Sequence, residues 1–282
     1  MLKIDESKAI IACSSGTAAL HAMLWGMQRQ EGTLRVGTQD FTFASNSLGP
    51  AGGPIVADMR TDYNINLDDP YIDSADVLII TNVFGHLQDY DYISNYKFRH
   101  IIFDNAASPY TFLEGSNSCN FGVGSYISLH HTKPIGFGEG GLAIIDKKYE
   151  DAVRIATNFG IIDGKFNERS GNYKISEVSA AAILQWWDQF KIDELANQYQ
   201  DNYFQLKYNL RDIEGESWVN YSEDEVFFPN CFPFLSNQPL DDQLLKGYET
   251  KKYYKPLRGF NISSQLFEKI VCFPITEGIN YG

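Results

Sequence analysis

The feature that most constrains this chain is a series of short apolar runs that alternates with helix-like stretches. Each run holds four or five mainly apolar residues between turn or polar residues, as expected for strands buried on both faces of a parallel sheet. The runs cover residues 9–13, 54–57, 77–81, 100–103, 126–129 and 142–145. The alternation predicts an α/β fold in which helices cover a mostly parallel central sheet.

Three stretches carry apolar residues mainly at helical spacing and predict helices over residues 16–29, 150–158 and 176 to about 190. In the third stretch, Val178, Leu184 and Trp187 are expected to lie on the face that packs into the core. After about Lys191 the apolar runs shorten and Tyr, Asn and Asp become frequent. We therefore predict a large domain of residues 1–190 and a small C-terminal α+β domain of residues 191–282.

Composition restricts the classes of function. The formal net charge of −13 disfavours nucleic acid as a partner, because proteins that bind a phosphate backbone cluster Lys and Arg. The sequence has neither a signal peptide nor an apolar segment of the roughly 18 residues needed to span a bilayer, which predicts no membrane segment and a cytoplasmic location. The cysteines are widely spaced and are expected to be reduced thiols. They are Cys13, Cys119, Cys231 and Cys272.

A phosphate site is indicated where residues 13–20, Cys-Ser-Ser-Gly-Thr-Ala-Ala-Leu, follow an apolar run and open a helix. Free backbone N–H groups at a helix N-terminus bind anions, and Gly16 would let the anion approach closely. Ser and Thr are also favoured as ordinary helix N-caps. The segment alone therefore leaves both interpretations open.

Asp104 ends the apolar run at residues 101–103. Ligands of open α/β sheets lie at the carboxyl ends of the strands, so an acid at this position can face a bound cofactor. Asp at the end of a strand is also a common turn former. Both interpretations stand at this point.

Lys133 lies beside a Gly-rich turn, where a long amine can alternate between a covalent link and proton transfer. A solvated loop lysine is the competing interpretation. The spacing Gly136-x-Gly138-x-x-Gly141 matches a dinucleotide fingerprint, but it leads into an apolar run instead of a helix, which argues against a Rossmann oxidoreductase. The other motifs of a protein kinase are missing from the sequence.

The neighbouring pair His130 and His131 suggests a metal site only weakly. Adjacent residues on an extended chain point to opposite faces, and no cluster of acids or cysteines accompanies the pair. We predict no metal.

Taken together and in order, these segments resemble the sugar aminotransferases of the DegT/DnrJ/EryC1/StrS family, within the fold type I pyridoxal-phosphate enzymes. The resemblance spans nearly the whole chain and implies their fold, with pyridoxal 5′-phosphate as cofactor. It rests on residues 15–20, 42–43, 51–58, 64–66, 84–85, 104–107, 128–133, 138–141, 171–177, 180–181 and 249–257.

The resemblance implies roles for the residues around the cofactor ring. Lys133 is similar to the lysine that forms a Schiff base with the cofactor and, once released, moves the proton between substrate and cofactor. Asp104 is similar to the carboxylate that pairs with the pyridine nitrogen and keeps it protonated. Phe43 is similar in position to the aromatic residue that stacks on the ring. The family's dehydratase branch has His in place of the lysine, so Lys133 favours transamination.

The resemblance also implies a phosphate site and an assembly. Gly16, Thr17 and Ser128 are similar to residues that contact the cofactor's phosphate. Asn172 resembles a residue that reaches the phosphate bound by the neighbouring subunit. A homodimer with two sites at its interface is therefore expected.

The implied reaction moves an amino group from L-glutamate onto a keto sugar carried by a nucleoside diphosphate. By association with the family, the sequence around Lys133, residues 128–134, suggests sugar pathways for the cell envelope and lipopolysaccharide. Tyr253 and Lys255 lie where members of the family bring polar groups toward the substrate.

The sequence departs from the family in two respects. Ala107 stands where members usually carry Gln or Glu that can bond the cofactor's 3-hydroxyl, so that ring contact is expected to be missing or supplied by another residue. Members also extend further at both ends, so we expect a trimmed chain. This supports a second hypothesis, a non-catalytic or truncated paralogue that acts as a dimeric interaction scaffold.

Overall fold

A seven-stranded mixed sheet forms the centre of the fold in the computed structural model, which describes residues 2–187, 189, 191–218, 227–240, 245 and 249–275. The strands of this region are β1 (Lys8–Cys13), β2 (Val36–Gln39), β3 (Ile55–Ala57), β4 (Val77–Thr81), β5 (His100–Asp104), β6 (Phe112–Leu113), β7 (Ser116–Asn117), β8 (Gly124–Ser128) and β9 (Gly141–Asp146). Their order in the sheet is β1-β9-β8-β5-β4-β2-β3, while β6 and β7 form a separate hairpin. From β8 to β3 all pairings are parallel, and β9 runs antiparallel to both neighbours. The predicted α/β fold with a mostly parallel sheet is confirmed.

Strand β2 was not predicted from the sequence. It reads Val-Gly-Thr-Gln, so its only large apolar residue is Val36, yet all four residues are buried. The polar side chains are accommodated by hydrogen bonds: Thr38 Oγ1 donates to the carbonyl of Ile79 (3.0 Å), and Gln39 Oε1 accepts from the backbone N–H of Thr81 (3.0 Å). A strand whose polar groups are satisfied by its neighbours carries no periodic apolar signal.

Six helices are present among the described residues: α1 (Gly16–Glu31), α2 (Tyr90–Ser94), α3 (Glu150–Thr157), α4 (Glu177–Trp187), α5 (Ile192–Asn209) and α6 (Asn261–Lys269). The predictions for α1 and α3 are confirmed to within two residues. Small residues along α1 let it lie close to its neighbours, since a Cβ at Gly26 would come within 2.5 Å of Val153 on α3. Helix α1 therefore packs closely against α3, and it also contacts strands β8 and β9.

Helix α4 corrects the expectation that its apolar face packs into the core. None of its residues is buried, and Val178 and Leu184 are 81% and 69% exposed. Only Ile183 and Trp187 pack against the core. Val178 and Leu184 thus face outward, whereas Trp187 packs against the core as expected. The end of the helix predicted near residue 190 lies outside the described residues.

The C-terminal part adds a three-stranded antiparallel sheet, β10 (Gly215–Ser217), β11 (Phe232–Ser236) and β12 (Ile270–Phe273), beside α5 and α6. Side chains of α5 share one apolar cluster with Ile127 and Leu129 of the central region. The mixture of helices and antiparallel strands fits the expected α+β character. The boundary between residues 190 and 191 stays a prediction.

Two carboxylates at the edge of the central sheet hold the segment that precedes β12. Asp40, directly after β2, accepts hydrogen bonds from the backbone N–H groups of Arg258 (2.5 Å) and Phe260 (2.8 Å). Asp58, directly after β3, accepts from the N–H groups of Ile262 (3.0 Å) and Ser263 (2.9 Å) at the start of α6. Asp58 satisfies donors that the beginning of a helix leaves free, and both acids tie this segment to the sheet.

Among the described residues, no helix is both long and apolar enough to cross a bilayer. The same part of the chain contains no group of three or more His, Cys, Asp or Glu side chains arranged to hold a metal ion. All four cysteines are buried and lie outside any disulfide.

Candidate active site

A cavity of about 400 Å³ opens at the carboxyl ends of the parallel strands, where ligands of such sheets bind. It collects residues that the sequence places far apart. Seven of the nine candidate site residues line it: Gly16, Thr17, Phe43, Asp104, Ser128, Lys133 and Tyr253.

One end of the cavity is formed by the N-terminus of α1. Ser15 caps the helix, since its Oγ accepts the backbone N–H of Ala18 at 3.0 Å. Gly16 and Thr17 face the cavity beside Ser128, and a Cβ at Gly16 would lie only 3.0 Å from the Cβ of Ser128. Ser15 therefore forms the cap, while Gly16 and Thr17 line the cavity. This end suits a phosphate group.

Lys133 lines the cavity as a half-buried side chain, which disagrees with the interpretation as a solvated loop lysine. Its turn is held by backbone bonds, among them Lys133 N–H to His130 O at 2.8 Å. Burial lowers the pKa of the Lys133 amine, and the nearby carboxylate of Asp104 partly opposes this. An amine with a lowered pKa is neutral at lower pH and so a better nucleophile toward a carbonyl.

Asp104 is buried at the end of β5 and reaches the cavity. Its Oδ1 accepts the backbone N–H of Ala106 at 3.0 Å, as in an ordinary turn. Its Oδ2 accepts from Thr81 Oγ1 at 3.2 Å and Asn46 Nδ2 at 3.4 Å. Both interpretations of this residue therefore hold, because it forms a turn and also presents a carboxylate to the cavity.

Aromatic side chains form one wall. Phe43 is 57% exposed and meets the edge of Tyr254 at 6.3 Å between ring centroids. Tyr254 in turn stacks on Phe84 at 5.5 Å and 11°. Burial raises the pKa of the Tyr254 hydroxyl well above its usual range, with the charge of Asp104 acting in the same direction. Phe43 is therefore the aromatic side chain of this wall with a largely free surface.

Two candidate residues do not reach this cavity. Asn172 is exposed and its backbone pairs with Asn158. Lys255 is also exposed and lies outside the lining, although its neighbour Tyr253 belongs to it. The structure thus separates the two substrate candidates and leaves Asn172 outside the lining of its own chain's cavity.

Several lining residues were missed by sequence reasoning, among them Thr81, Tyr126, Asn230 and Tyr254. Thr81 carried a usable signal, because it ends a predicted strand as Asp104 does. Asn230 carried none. Its Oδ1 is shielded from solvent and has no hydrogen-bond partner among the described residues. Ala107 also lines the cavity, where it offers only a methyl group.

The histidine pair differs from its expected geometry. The rings of His130 and His131 lie 4.0 Å apart, because this segment turns and is not extended. His130 lines the cavity and lies 3.5 Å from Glu139 and 2.8 Å from the hydroxyl of Thr132. These contacts occupy both ring nitrogens of His130 within the site.

The family model of the DegT/DnrJ/EryC1/StrS aminotransferases matches residues 3–280. The chain belongs to this family. Its cofactor is pyridoxal 5′-phosphate, so the cofactor prediction is confirmed. The prediction of a sugar aminotransferase is confirmed at the level of the family.

Solved structures of similar proteins confirm the fold. Helicobacter pylori PseC, an aminotransferase involved in the biosynthesis of pseudoaminic acid, is 15% identical with a TM-score of 0.80, covering 96% of this chain and 82% of that one. The putative sugar aminotransferase Spr1654 from Streptococcus pneumoniae, in its PMP form, is 17% identical with a TM-score of 0.80 and the same coverage. A family member from Brucella abortus is 19% identical with a TM-score of 0.79, covering 99% and 83%.

The residues of the cavity fit the cofactor of the family. Pyridoxal phosphate needs an anion site, a partner for its ring nitrogen and an amine for its aldehyde. The cavity supplies a helix N-terminus, a buried carboxylate with three donors and a lysine whose pKa is lowered by burial. Ala107 itself offers no polar side-chain atom for the ring hydroxyl.

Proposed function

We propose that this protein transfers an amino group from L-glutamate to a keto sugar carried by a nucleoside diphosphate, with Lys133 as its catalytic residue. The observation that carries the proposal is the placement of Lys133 and Asp104 in one cavity at the N-terminus of α1. The sugar substrate follows from the family. L-glutamate, the nucleotide, a cytoplasmic location and a role in cell-envelope or lipopolysaccharide sugars extend the resemblance of the sequence.

In this proposal each end of the cavity binds a different part of the cofactor. Gly16, Thr17 and Ser128 hold the phosphate through the helix N-terminus and hydroxyl groups. Asp104 holds the ring nitrogen by a charge-assisted hydrogen bond. Phe43 covers one face of the ring with its exposed surface. When bound, the cofactor supplies an electron sink for the carbon that loses its proton.

Lys133 then has two tasks. Its neutral amine would hold the cofactor covalently, which the lowered pKa favours at neutral pH. The free amine would serve as the base that accepts the proton of the substrate carbon and as the acid that donates a proton back. Tyr253 lies on the rim of the cavity side by side with Tyr254 and is proposed to contact the substrate. Lys255, on the outer surface, is proposed only to attract the substrate's phosphates.

A homodimer completes the proposal. Large apolar side chains on α4 are exposed, with Trp186 at 63%, and exposed apolar patches mark protein interfaces. Asn172 lies on the same stretch of chain, is exposed and does not line its own cavity. We propose that α4 packs against a second copy and that Asn172 reaches the phosphate bound there.

Absorbance tests the proposed chemistry. Purified protein is mixed with pyridoxal phosphate and then with excess L-glutamate, beside Lys133→Ala and, as a matched control, Lys255→Ala. A visible band that needs Lys133 but not Lys255, and that moves to shorter wavelength with glutamate, is the expected result. A wild-type protein without this band would favour the dimeric scaffold instead.

Sizing tests the assembly. The wild-type protein is expected to be a dimer at micromolar concentration, and Leu184→Asp is expected to shift it toward monomer because it places a charge on the exposed apolar face of α4. A monomeric wild-type protein would contradict the shared site.

A further inference from the structure

A chain of buried hydrogen bonds leads to Asp104 from four other residues. Resting on the proposed function, we propose that this chain positions the Asp104 carboxylate for the cofactor's ring nitrogen. The other members are positioning residues that act through Asp104. They are Tyr126, Asn46, Thr42 and Thr81.

The contacts form a continuous path. Tyr126 OH lies 2.7 Å from Asn46 Oδ1. Asn46 Nδ2 lies 2.9 Å from Thr42 Oγ1 and 3.1 Å from Thr81 Oγ1. The two threonine hydroxyls are 2.5 Å apart, and Thr81 Oγ1 is 3.2 Å from Asp104 Oδ2. All five side chains are buried, so water does not compete for these bonds.

The chemistry of each group sets the direction of the protons. An ionised carboxylate only accepts, so Asn46 turns its Nδ2 toward Asp104 and its Oδ1 toward Tyr126. Tyr126 must therefore donate to Asn46. Thr81 has one hydroxyl hydrogen and gives it to Asp104, so Thr42 donates to Thr81. Each hydrogen bond in the path is therefore donated in the direction of Asp104.

This order holds both oxygens of Asp104 in place. Oδ1 accepts from the Ala106 N–H, and Oδ2 accepts from Thr81 and Asn46. Burial and the charge of Asp104 raise the pKa of Tyr126, so its hydroxyl remains a donor. A carboxylate fixed in this orientation would stabilise positive charge on the ring nitrogen, where that charge draws electrons from the reacting carbon.

The sheet offers a matched control for this role. Thr38 on β2 is buried like Thr81 and also donates its hydroxyl once, to the carbonyl of Ile79 at 3.0 Å. It does not line the cavity. Thr38→Val and Thr81→Val therefore remove the same group at similar burial, but only the second removes a donor to Asp104.

The experiment titrates Thr81→Val, Thr81→Ser and Thr38→Val with pyridoxal phosphate and follows the visible band against pH. Thr81→Val is expected to bind the cofactor up to roughly tenfold more weakly, less than the full value of a hydrogen bond to a charged group because Thr81 acts only through Asp104. The pH midpoint of its band is expected to move upward, because less positive charge on the ring lets the nitrogen joined to Lys133 keep its proton longer. Thr81→Ser restores both values, and Thr38→Val leaves both unchanged.

Tyr126→Phe provides a second, independent variant. It removes the first donor of the path and is expected to move both values in the same direction as Thr81→Val, by less. Thr81→Val and Tyr126→Phe proteins that match Thr38→Val in affinity and pH midpoint would overturn this proposal alone. A wild-type protein without a Lys133-dependent band would overturn the proposed function together with it.

Discussion

Asp40 and Asp104 are two buried carboxylates at the ends of strands in the same sheet, and their partners differ. Asp40 is 0% exposed and both of its oxygens accept backbone N–H groups of the C-terminal segment. Asp104 is 3% exposed, accepts largely from side chains and lines the cavity. The two acids are thus alike in burial and in their position at the end of a strand. They differ in their hydrogen-bond donors: backbone donors commit Asp40 to the fold, whereas Asp104 keeps a surface in the cavity.

The largest effect is expected at Asp104. Asp104→Asn keeps the shape but removes the charge opposite the ring nitrogen, and loss of one partner of a buried charge pair costs about 3 kcal/mol or more. This corresponds to a decrease in kcat/KM of roughly hundredfold or more. Steady-state kinetics per folded molecule with saturating cofactor measure it, and the melting temperature is also expected to fall, because the new amide cannot accept all the hydrogen bonds now bound by Asp104. A variant with near wild-type kcat/KM would remove the distinction between the two acids.

Asp40→Asn is expected to affect stability and leave the chemistry intact. Its amide can accept only one of the two N–H groups now bound by Asp40, which leaves a buried donor unpaired at a cost of about 1–3 kcal/mol. Urea unfolding of the apoprotein measures the loss. Activity per folded molecule should stay within a few-fold of wild type. A large fall in activity without a loss of stability would place Asp40 in the site instead.

The pKa of the Lys133 amine is expected to respond to Asp104 but not to Asp40. Burial lowers its pKa, so its neutral fraction should rise at a pH below the roughly 10.4 of an exposed lysine. Asp104 opposes this shift, and Asp104→Asn is therefore expected to move the midpoint lower still, whereas Asp40→Asn should not move it. Labelling of apoprotein lysines with an amine reagent at several pH values, read by mass spectrometry, gives the midpoint. An upward shift in Asp104→Asn would contradict the assigned interaction.

The smallest effect is expected at Phe43. Phe43 and Phe41 form a second pair of similar residues with different surroundings. Phe43→Ala should weaken cofactor binding by a few-fold, in keeping with about 0.5–1.5 kcal/mol for aromatic contacts. Phe41, two residues earlier, is buried and stacks on Trp218, so Phe41→Ala should mainly destabilise the fold. Cofactor titration and thermal melting distinguish the two outcomes. Equal effects on affinity would argue against a ring contact at Phe43.

Local patterns in the sequence predicted most of the central sheet and the polar ends of its strands. Asp104 and Lys133 became candidates because Asp104 ends an apolar run and Lys133 lies beside a Gly-rich turn, and their roles followed from the resemblance to the family. Strand β2 could not be found, because its polar residues are satisfied by neighbours distant in sequence. The same reason hid Asn46, whose contact with Asp104 spans 58 positions.

Other features could not be predicted because they depend on packing between segments, which the spacing of apolar residues in one segment does not show. The apolar spacing of α4 indicated a buried face but not which molecule covers it, and in this chain Val178 and Leu184 face outward. Asn230 and Tyr254 reach the cavity only because the C-terminal segment folds back over the sheet edge, where Asp40 and Asp58 hold it. No short sequence motif predicts that these two residues lie in the cavity.

The most direct test of the central claim is to locate the attached cofactor. Protein loaded with pyridoxal phosphate is reduced with borohydride, digested and analysed by mass spectrometry. We expect a single major adduct on Lys133, present in Asp40→Asn and lost in Lys133→Ala. An adduct spread over surface lysines such as Lys255, or none at all on Lys133, would contradict the assignment of this cavity as the active site.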